Sequence, residues 1–246
     1  MLSRPPAQRH RWEVAERVGH LAAVPIFSRL DPAALRGVAE RFHAKRVARG
    51  EFVFLQGQPA ATLNALSEGR VKVIRETDEG RQVILRLINP GELFGVSGGW
   101  GEAVYPASAR ALDDVVVLQL PAPQFAALLG TYPELAVAVI RELGGRLREA
   151  EARILDLQTE RVEQRLARAL LRLTNPGSAG LRAHDVLEIG LTRQDLADLA
   201  GTTLSTASRT LSSWHRQGIV LAGRERVTIR DLSRLARIAE GNDDDP

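Results

Sequence analysis

The sequence contains no cysteine, few aromatic residues and no long hydrophobic run. With no cysteine among 246 residues, disulfides, thiol catalysis, zinc ribbons and cysteine-ligated iron–sulfur clusters are excluded. No run approaches the roughly 18 apolar residues of a membrane span, and the basic amino terminus lacks the apolar stretch of a signal peptide. The chain is 44% hydrophobic and 26% charged, so we expect a globular cytoplasmic protein with one large or two modest domains.

Basic charge is concentrated in one part of the chain. Residues 161–238 carry 13 basic and 7 acidic side chains, whereas residues 1–160 carry 20 and 19. The last eight residues, 239–246, carry four acidic side chains and no basic one, and we expect them to form a disordered tail. The basic segment suggests a module that binds a polyanion, although arginine-rich composition alone offers a neutral explanation.

The first half of the chain predicts short strands after a helix. Asp31 and Pro32 are typical of a helix start, and residues 28–42 continue as a short helix. The runs EFVFLQ, RVKVIRE, QVILRLI and VVVLQL then follow, separated by glycine and proline turns. Many short strands at such spacing predict an antiparallel barrel, roll or sandwich.

A long helix is predicted from about Pro133 to Leu157. Its apolar residues recur at steps of three and four, which is the seam of a two-helix coiled coil. The seam positions are Ile140, Leu143, Leu147, Ala150, Ile154 and Leu157. This pattern predicts a dimer helix; the alternative is a helix that packs its stripe onto its own β domain.

The stretch LTRQDLADLAGTTLSTASRTLSSWHRQGIV, which begins at Leu191, predicts a helix-turn-helix. Thr192 caps the first helix with Asp195 as its capping partner, and Leu196, Leu199 and Ala200 form its buried stripe. Ala197 and Gly201 supply the small residue and the turn glycine that two crossing helices need. Thr203 caps the second helix, whose inward face is Ala207, Leu211 and Trp214.

The opposite face of the second helix suits the major groove of DNA. It carries short hydroxyl side chains and arginines, and arginine can bond guanine O6 and N7 in a bidentate way. These residues are Ser205, Ser208, Arg209, Ser212 and Arg216. Arg224 and Arg226 lie in a following hairpin that predicts a wing whose arginines contact phosphates. An ordinary α-hairpin is the structural alternative.

The order of these parts resembles the cyclic-AMP receptor/fumarate-nitrate regulator (Crp/Fnr) superfamily of bacterial transcription factors. The resemblance covers about residues 20–235: a β-roll ending in GELFG, a dimer helix and the helix-turn-helix stretch. It implies reading positions at Leu204, Ser205, Ser208 and Arg209. We expect Thr192, Arg193 and Thr203 to be further DNA contacts. The founding branches place Glu at the position of Ser205. The DNA half-sites that those branches recognise are therefore not expected for this chain.

The resemblance also bears on the effector. In the cyclic-nucleotide branch a Glu follows the FG of the roll and an Arg-Ser pair binds the phosphate. Here Val96 follows FG, and the Arg-Ser positions fall on Pro106 and Ala107. The adenine-contacting hydroxyl pair is replaced by Ala150 and Glu151. A buried phosphate would lack a charge partner, so we expect an effector other than cyclic AMP.

We expect the effector pocket between the roll and the central helix. Its candidate residues are Gly95, Val96, Ser97, Ala107, Ser108, Arg110, Leu147 and Ala150. YPASARAL and the second helix resemble the nitric-oxide and denitrification (Nnr/Dnr-like) regulators, some of which are thought to hold haem. Five histidines are present, His10, His20, His43, His184 and His215. Of these His20 is the candidate haem ligand, and we expect no other metal site.

The expected molecule is an α+β homodimer with three parts and a tail. Residues 1–130 form a β-roll sensor with N-terminal helices, 131–160 the dimer helix, and 161–238 a winged helix-turn-helix. Its expected partners are an inverted-repeat DNA operator, a second copy and RNA polymerase. An effector-independent regulator remains open, as does a sensor that acts through protein contacts. A DNA-processing enzyme is disfavoured because the candidate nucleophiles Tyr105 and Tyr132 stand alone and no DxD or HxH cluster occurs outside the acidic tail.

Overall fold

A computed structural model describes residues 12–77, 82–96, 104–173, 187–189, 191–223 and 226–242. Two helices open the described chain, α1 (Val14–Ala22) and α2 (Pro32–Glu40). The Asp31 carboxylate accepts hydrogen bonds from the backbone N–H groups of Ala33 and Ala34, both at 2.9 Å, so α2 begins as predicted. The expected N-terminal helices also include α1, whose position was not predicted and which begins with a reciprocal capping box between Glu13 and Glu16.

Eight strands then form two antiparallel four-stranded sheets that face each other as a β-roll. They are β1 (His43–Val47), β2 (Phe52–Phe54), β3 (Thr62–Glu68), β4 (Val71–Glu76), β5 (Gln82–Ile88), β6 (Leu93–Phe94), β7 (Ser108–Ala111) and β8 (Val115–Pro121). One sheet has the order β1-β8-β3-β6 and the other β2-β7-β4-β5. The four predicted strands are confirmed as β2, β4, β5 and β8.

Strand β8 is apolar on both of its faces because each face covers a separate core. Val115 and Val117 point into the roll, where Phe54, Val71 and Ile88 surround them. Alternate side chains point the other way into a second core that the helices complete; these are Val116, Leu118 and Leu120. The period of two along a strand therefore explains the continuous run VVVLQL.

The chain next passes through α3 (Ala122–Thr131) and the 27-residue α4 (Pro133–Thr159). The amino-terminal turns of α4 are anchored because Leu135 and Val139 are buried in the helical core. Among the described residues no single helix is long and apolar enough to cross a membrane; α3 and α4 qualify by length and composition only as a pair bent by 115°.

The last part of the described chain has its own core. It contains α5 (Val162–Leu173), β9 (Leu187–Ile189), α6 (Arg193–Ala200), α7 (Leu204–Arg216), β10 (Val220–Ala222), β11 (Val227–Ile229) and α8 (Leu232–Glu240). The three strands form an antiparallel sheet in the order β10-β11-β9. Leu166, Leu196, Leu211 and Trp214 meet in the centre of this core. The predicted fold class is confirmed: a β-roll, a long helix and a carboxyl-terminal helix-turn-helix.

Candidate nucleic-acid interface

Helix α6 begins with the predicted capping box. The Asp195 N–H donates to Thr192 Oγ1 at 3.1 Å, and the Thr192 N–H donates to Asp195 Oδ2 at 3.0 Å. The helix ends at Gly201, whose φ of +61° lies in the left-handed region that glycine adopts without strain. A Cβ on Gly201 would lie 2.5 Å from Leu157 Cδ2, so the turn also passes close to the central helix.

The inner face of helix α7 consists of the residues that the sequence predicted for it. Ala207, Leu211 and Trp214 are buried, and Thr203 Oγ1 accepts from the Thr206 N–H at 3.2 Å to cap the helix. Ala197 is fully buried on α6. The predicted turn, caps and crossing of the helix-turn-helix are therefore present together.

The opposite face of α7 is open. Ser205, Arg209 and Arg216 are exposed, Ser208 and Ser212 are half-buried, and Leu204 is 46% exposed at the first position of the helix. A shallow groove runs along this face, lined by Glu163, Thr206, Ser208, Arg209, Thr210, Ser212, Ser213 and Arg216. Helical spacing from Arg209 would have added Ser213 to the predicted set. Glu163 comes from α5, and no sequence signal placed it here.

A second groove joins the start of α6 to the wing. Thr192, Arg193 and Leu204 line it together with Gly223 of the β10–β11 hairpin, and Gln194 and Ala222 complete it. The Gly223 N–H donates to the Arg226 carbonyl at 2.8 Å, and Arg226 is exposed. Arg224 lies outside the described residues. The structure thus brings three of the predicted DNA contacts to one place beside the wing.

The β-roll surroundings of Gly95 are filled by side chains. A Cβ on Gly95 would lie 2.7 Å from Asn64 Nδ2 and 2.9 Å from Phe54 Cε1. Phe54 and Tyr105 stack with ring centroids 3.8 Å apart, and the Tyr105 hydroxyl donates to the Thr62 carbonyl at 2.9 Å. No sequence signal predicted this packing role for Tyr105, because Thr62 lies 43 residues away along the chain.

The polar candidates of the effector pocket have partners within the roll. Ser108 Oγ accepts from the Gln56 N–H at 2.8 Å. Arg110 Nε donates to the Gly50 carbonyl at 2.8 Å, and its guanidinium lies 5.5 Å from the centroid of the Phe52 ring. The guanidinium of Arg110 is therefore directed toward the turn before β2. Ala107 is buried and Val96 is half-buried, while Ser97 lies outside the described residues.

From Ile140 onward, α4 exposes apolar residues along one stripe. The predicted seam faces outward, with Ile140 68%, Leu147 61% and Ile154 58% exposed. Leu143, Ala150 and Leu157 share this exposed stripe. The alternative that this stripe packs onto the chain's own β domain is therefore wrong.

Two arginines of α4, Arg146 and Arg153, contact the rest of the chain. Arg146 donates to the Leu93 carbonyl at 2.8 Å. Burial, and then the neighbouring Arg86 charge, lowers the pKa of Arg146 from its usual value. Burial also lowers the pKa of Arg153, followed by the charge of Arg172. Both side chains are half-buried, and each donates to a backbone carbonyl of the β-roll.

Three of the five histidines lie in described segments. The His20 ring on α1 is half-buried, 4.7 Å from the Trp12 ring; His43 and His215 are exposed. Within the described part of the chain, no group of three His, Cys, Asp or Glu side chains is placed to hold a metal ion. The haem ligand at His20 stays a prediction.

The sensor half also contacts the first helix of the helix-turn-helix. Lys72 Nζ on β4 donates to Asp195 Oδ1 at 2.6 Å, and the two side chains are only 12% and 9% exposed. Burial alone would raise the pKa of Asp195, but hydrogen bonds from Lys72 and Thr192 hold it below its ordinary value. Sequence reasoning missed this ion pair because 123 residues separate its partners.

Comparisons with known proteins agree with this arrangement. Residues 44–132 match the model of a cyclic nucleotide-binding domain, and residues 164–238 match that of a Crp-like helix-turn-helix domain. The chain is 32% identical over 217 residues to the cyclic AMP receptor protein of Thermus thermophilus, covering 88% of this chain and 97% of that protein. It is 29% identical over 225 residues to a CRP-like cAMP-activated global transcriptional regulator of Mycobacterium tuberculosis, covering 89% and 98%. A solved CRP-family regulator of Thermus thermophilus superposes with a TM-score of 0.67 at 29% identity, covering 80% and 96%.

Proposed function

Because the chain belongs to the Crp/Fnr family of DNA-binding transcription regulators, we propose that it acts as a homodimer that reads an inverted-repeat operator through α7. One observation carries this proposal: the exposed face of α7 presents hydroxyl and guanidinium groups, while the opposite face is fixed in a core. A helix held in this way enters the major groove as a rigid body, with its side chains directed at base edges.

Different residues of the interface have different roles. Arg209 is exposed one turn after Ser205, and it bonds guanine O6 and N7 in the major groove. Ser205, Ser208, Ser212 and Arg216 lie on the same face, and the apolar Leu204 begins it. Thr192, Arg193 and Thr203 at the helix starts contact the backbone together with Arg224 and Arg226 of the wing, which positions the protein without reading sequence.

The outward seam of α4 supports the homodimer. An apolar stripe of leucine and isoleucine leaves a large area in contact with water, and a second copy of the same helix buries it. Two-fold symmetry then places two reading helices about 34 Å apart, so the half-sites lie one helical turn apart. RNA polymerase is the remaining partner that we propose, as for a transcription regulator of this family.

We propose an effector in the β-roll that is not cyclic AMP. Arg110 is bonded to Gly50, Val96 stands where the cyclic-nucleotide branch has Glu, and Phe54 and Tyr105 fill the space beside Gly95. A buried phosphate would require a cation there. The Nnr/Dnr-like resemblance makes haem, with nitric oxide as the signal, the candidate. A Soret band in protein purified from haem-supplied cells tests this proposal.

The experiment that tests DNA recognition is selection of an operator from a random DNA pool, followed by binding at several salt concentrations. We expect an inverted repeat, and a logarithmic plot of affinity against salt with a steep negative slope. Selection of a single unrepeated half-site would contradict the proposal that the protein binds DNA as a homodimer. Flat salt dependence with no selected sequence would instead favour the sensor that works through protein contacts.

A further inference from the structure

Residue Lys72 of the β-roll is joined to the amino-terminal cap of the helix-turn-helix. Asp195 uses one oxygen, Oδ2, to accept from the N–H and hydroxyl of Thr192, at 3.0 and 2.8 Å. Its other oxygen, Oδ1, accepts from Lys72 Nζ at 2.6 Å. A single buried carboxylate therefore fixes the start of α6 internally and attaches it to β4.

The other end of α6 is held as well. Arg153 of α4 donates to the carbonyls of Leu85 and Ile84 on β5, at 2.9 and 3.3 Å, and to the Leu199 carbonyl on α6 at 3.1 Å. One guanidinium thus joins the β4–β5 hairpin to the carboxyl-terminal turn of α6. Apolar contacts also join the two halves, because Leu87 and Leu112 of the roll pack into the core of the helix-turn-helix half.

The contact leaves the DNA-reading side open. Ser205 and Arg209 on α7 stay exposed while α6 is held at both ends, so the hairpin fixes the orientation of the reading helix without covering it. Moving one member of a buried charge pair away from the other is costly, because it leaves a desolvated charge without its partner. The Lys72–Asp195 pair therefore favours one position of α6 relative to β4. The β4–β5 hairpin can therefore transmit a change in the roll to α6.

We propose that Lys72 is a positioning residue for operator recognition, which acts through Asp195 to hold the helix-turn-helix in the orientation that a two-fold operator requires. The inference rests on the proposed function of α7 and adds how the sensor half controls it. Orientation matters for a specific complex, in which both reading helices must fit at once. It matters little for non-specific binding, which rests on phosphate charge.

The chain offers a matched control because it contains only two lysines, Lys45 and Lys72. Lys45 is exposed on β1 of the same roll. Both Lys72→Met and Lys45→Met remove one positive charge, so they affect non-specific electrostatics alike. Lys72→Arg keeps the charge at the position and tests rescue.

The test measures binding of the full chain to the selected operator and to random DNA. We expect Lys72→Met to weaken operator binding about tenfold, as for loss of a buried charged hydrogen bond, with random DNA bound within about twofold of wild type. Lys45→Met should match wild type, and Lys72→Arg should recover part of the loss. In an Asp195→Asn background, Lys72→Met should add no further loss.

Several outcomes would overturn the inference. These are unchanged operator binding by Lys72→Met, equal losses on operator and random DNA, and tighter operator binding. Failure of the wild type to select any operator would instead contradict the proposed function.

Labelling of the native protein with acetic anhydride tests the contact independently of DNA. Lys72 should react more slowly than Lys45, as read by mass spectrometry, and Asp195→Asn should accelerate it. Equal rates at the two lysines would show that the ion pair is absent in solution.

Discussion

The DNA-reading helix α7 exposes its polar side chains, whereas polar side chains of the β-roll form hydrogen bonds within the roll. On α7, Ser205 and Arg209 are exposed on a face with a buried core behind it. In the roll, Arg110 is bonded to Gly50 and the Tyr105 hydroxyl to Thr62. The polar groups on α7 are thus open to an external partner, whereas these polar groups of the roll already have internal hydrogen-bond partners. The DNA-reading face is therefore preorganised, whereas the effector that we propose would have to rearrange the roll in order to bind.

The largest expected effect is on dimerisation, and it tests whether two copies of the chain associate through α4. Leu147→Glu places two carboxylates in an apolar seam, so association should weaken by several kcal/mol, about the 3–5 kcal/mol found for an unpaired buried charge. Sedimentation at micromolar concentration should show monomers. Ala152→Glu, on an exposed position of α4 away from the seam, is the control and should remain dimeric. A dimeric Leu147→Glu protein would show that the seam is elsewhere.

The next prediction separates base reading from phosphate contact. Arg209→Ala should cost about 1–3 kcal/mol on the operator and much less on random DNA, because a base contact is absent from non-specific complexes. Arg226→Ala should weaken both alike and reduce the salt slope by about one. Titrations on the two DNAs check this pair. Equal losses for Arg209→Ala would remove the distinction between the reading face and the wing.

A smaller effect follows from the carboxylate that joins the two regions. The pKa of folded Asp195 lies below its ordinary value, through its bonds to Lys72 and Thr192, which outweigh burial. Its contribution to stability is therefore present above the unfolded-state pKa of about 3.9 and is lost as the pH falls through the lower folded-state pKa.

Lys72→Met should reduce this pH dependence, because it removes one of the bonds that lower the pKa. Urea unfolding of both proteins at neutral pH and below pH 4 provides the measurement. The variant should be less stable at neutral pH and closer to wild type in acid. An identical loss at both pH values would show that Lys72 does not interact with the ionised carboxylate.

The smallest expected effect is that of cyclic AMP, which should not change the melting temperature. A ligand at about 100 times its Kd adds roughly 2.7 kcal/mol to the folded state, which a thermal melt detects readily. Millimolar cyclic AMP should leave both the melt and operator binding unchanged. The cyclic AMP receptor protein of Thermus thermophilus serves as a positive control for the nucleotide. A clear rise in melting temperature would reverse the interpretation of Val96, Pro106 and Ala107.

What the sequence predicted depends on how far apart the interacting residues lie. The helix-turn-helix follows from caps, a turn glycine and an inner stripe within thirty residues, and its described parts are confirmed. In the roll, β-branched strands such as β5 were found. Strands β1, β3, β6 and β7 were missed, because their sequences are mixed or their lengths short and their pairing partners are remote. Glu163 and the Lys72–Asp195 pair were missed for the same reason.

If α4 forms the proposed homodimer, its outward apolar stripe makes the activity of the protein depend on how much of it is present. The helix is about 40 Å long at 1.5 Å per residue, and each separated copy would leave its stripe in water. By mass action, at concentrations well below the dissociation constant, the number of assembled pairs falls as the square of the number of chains. Operator occupancy then responds to expression level more steeply than in proportion. In that concentration range, halving the number of chains would lower the number of assembled pairs to about a quarter.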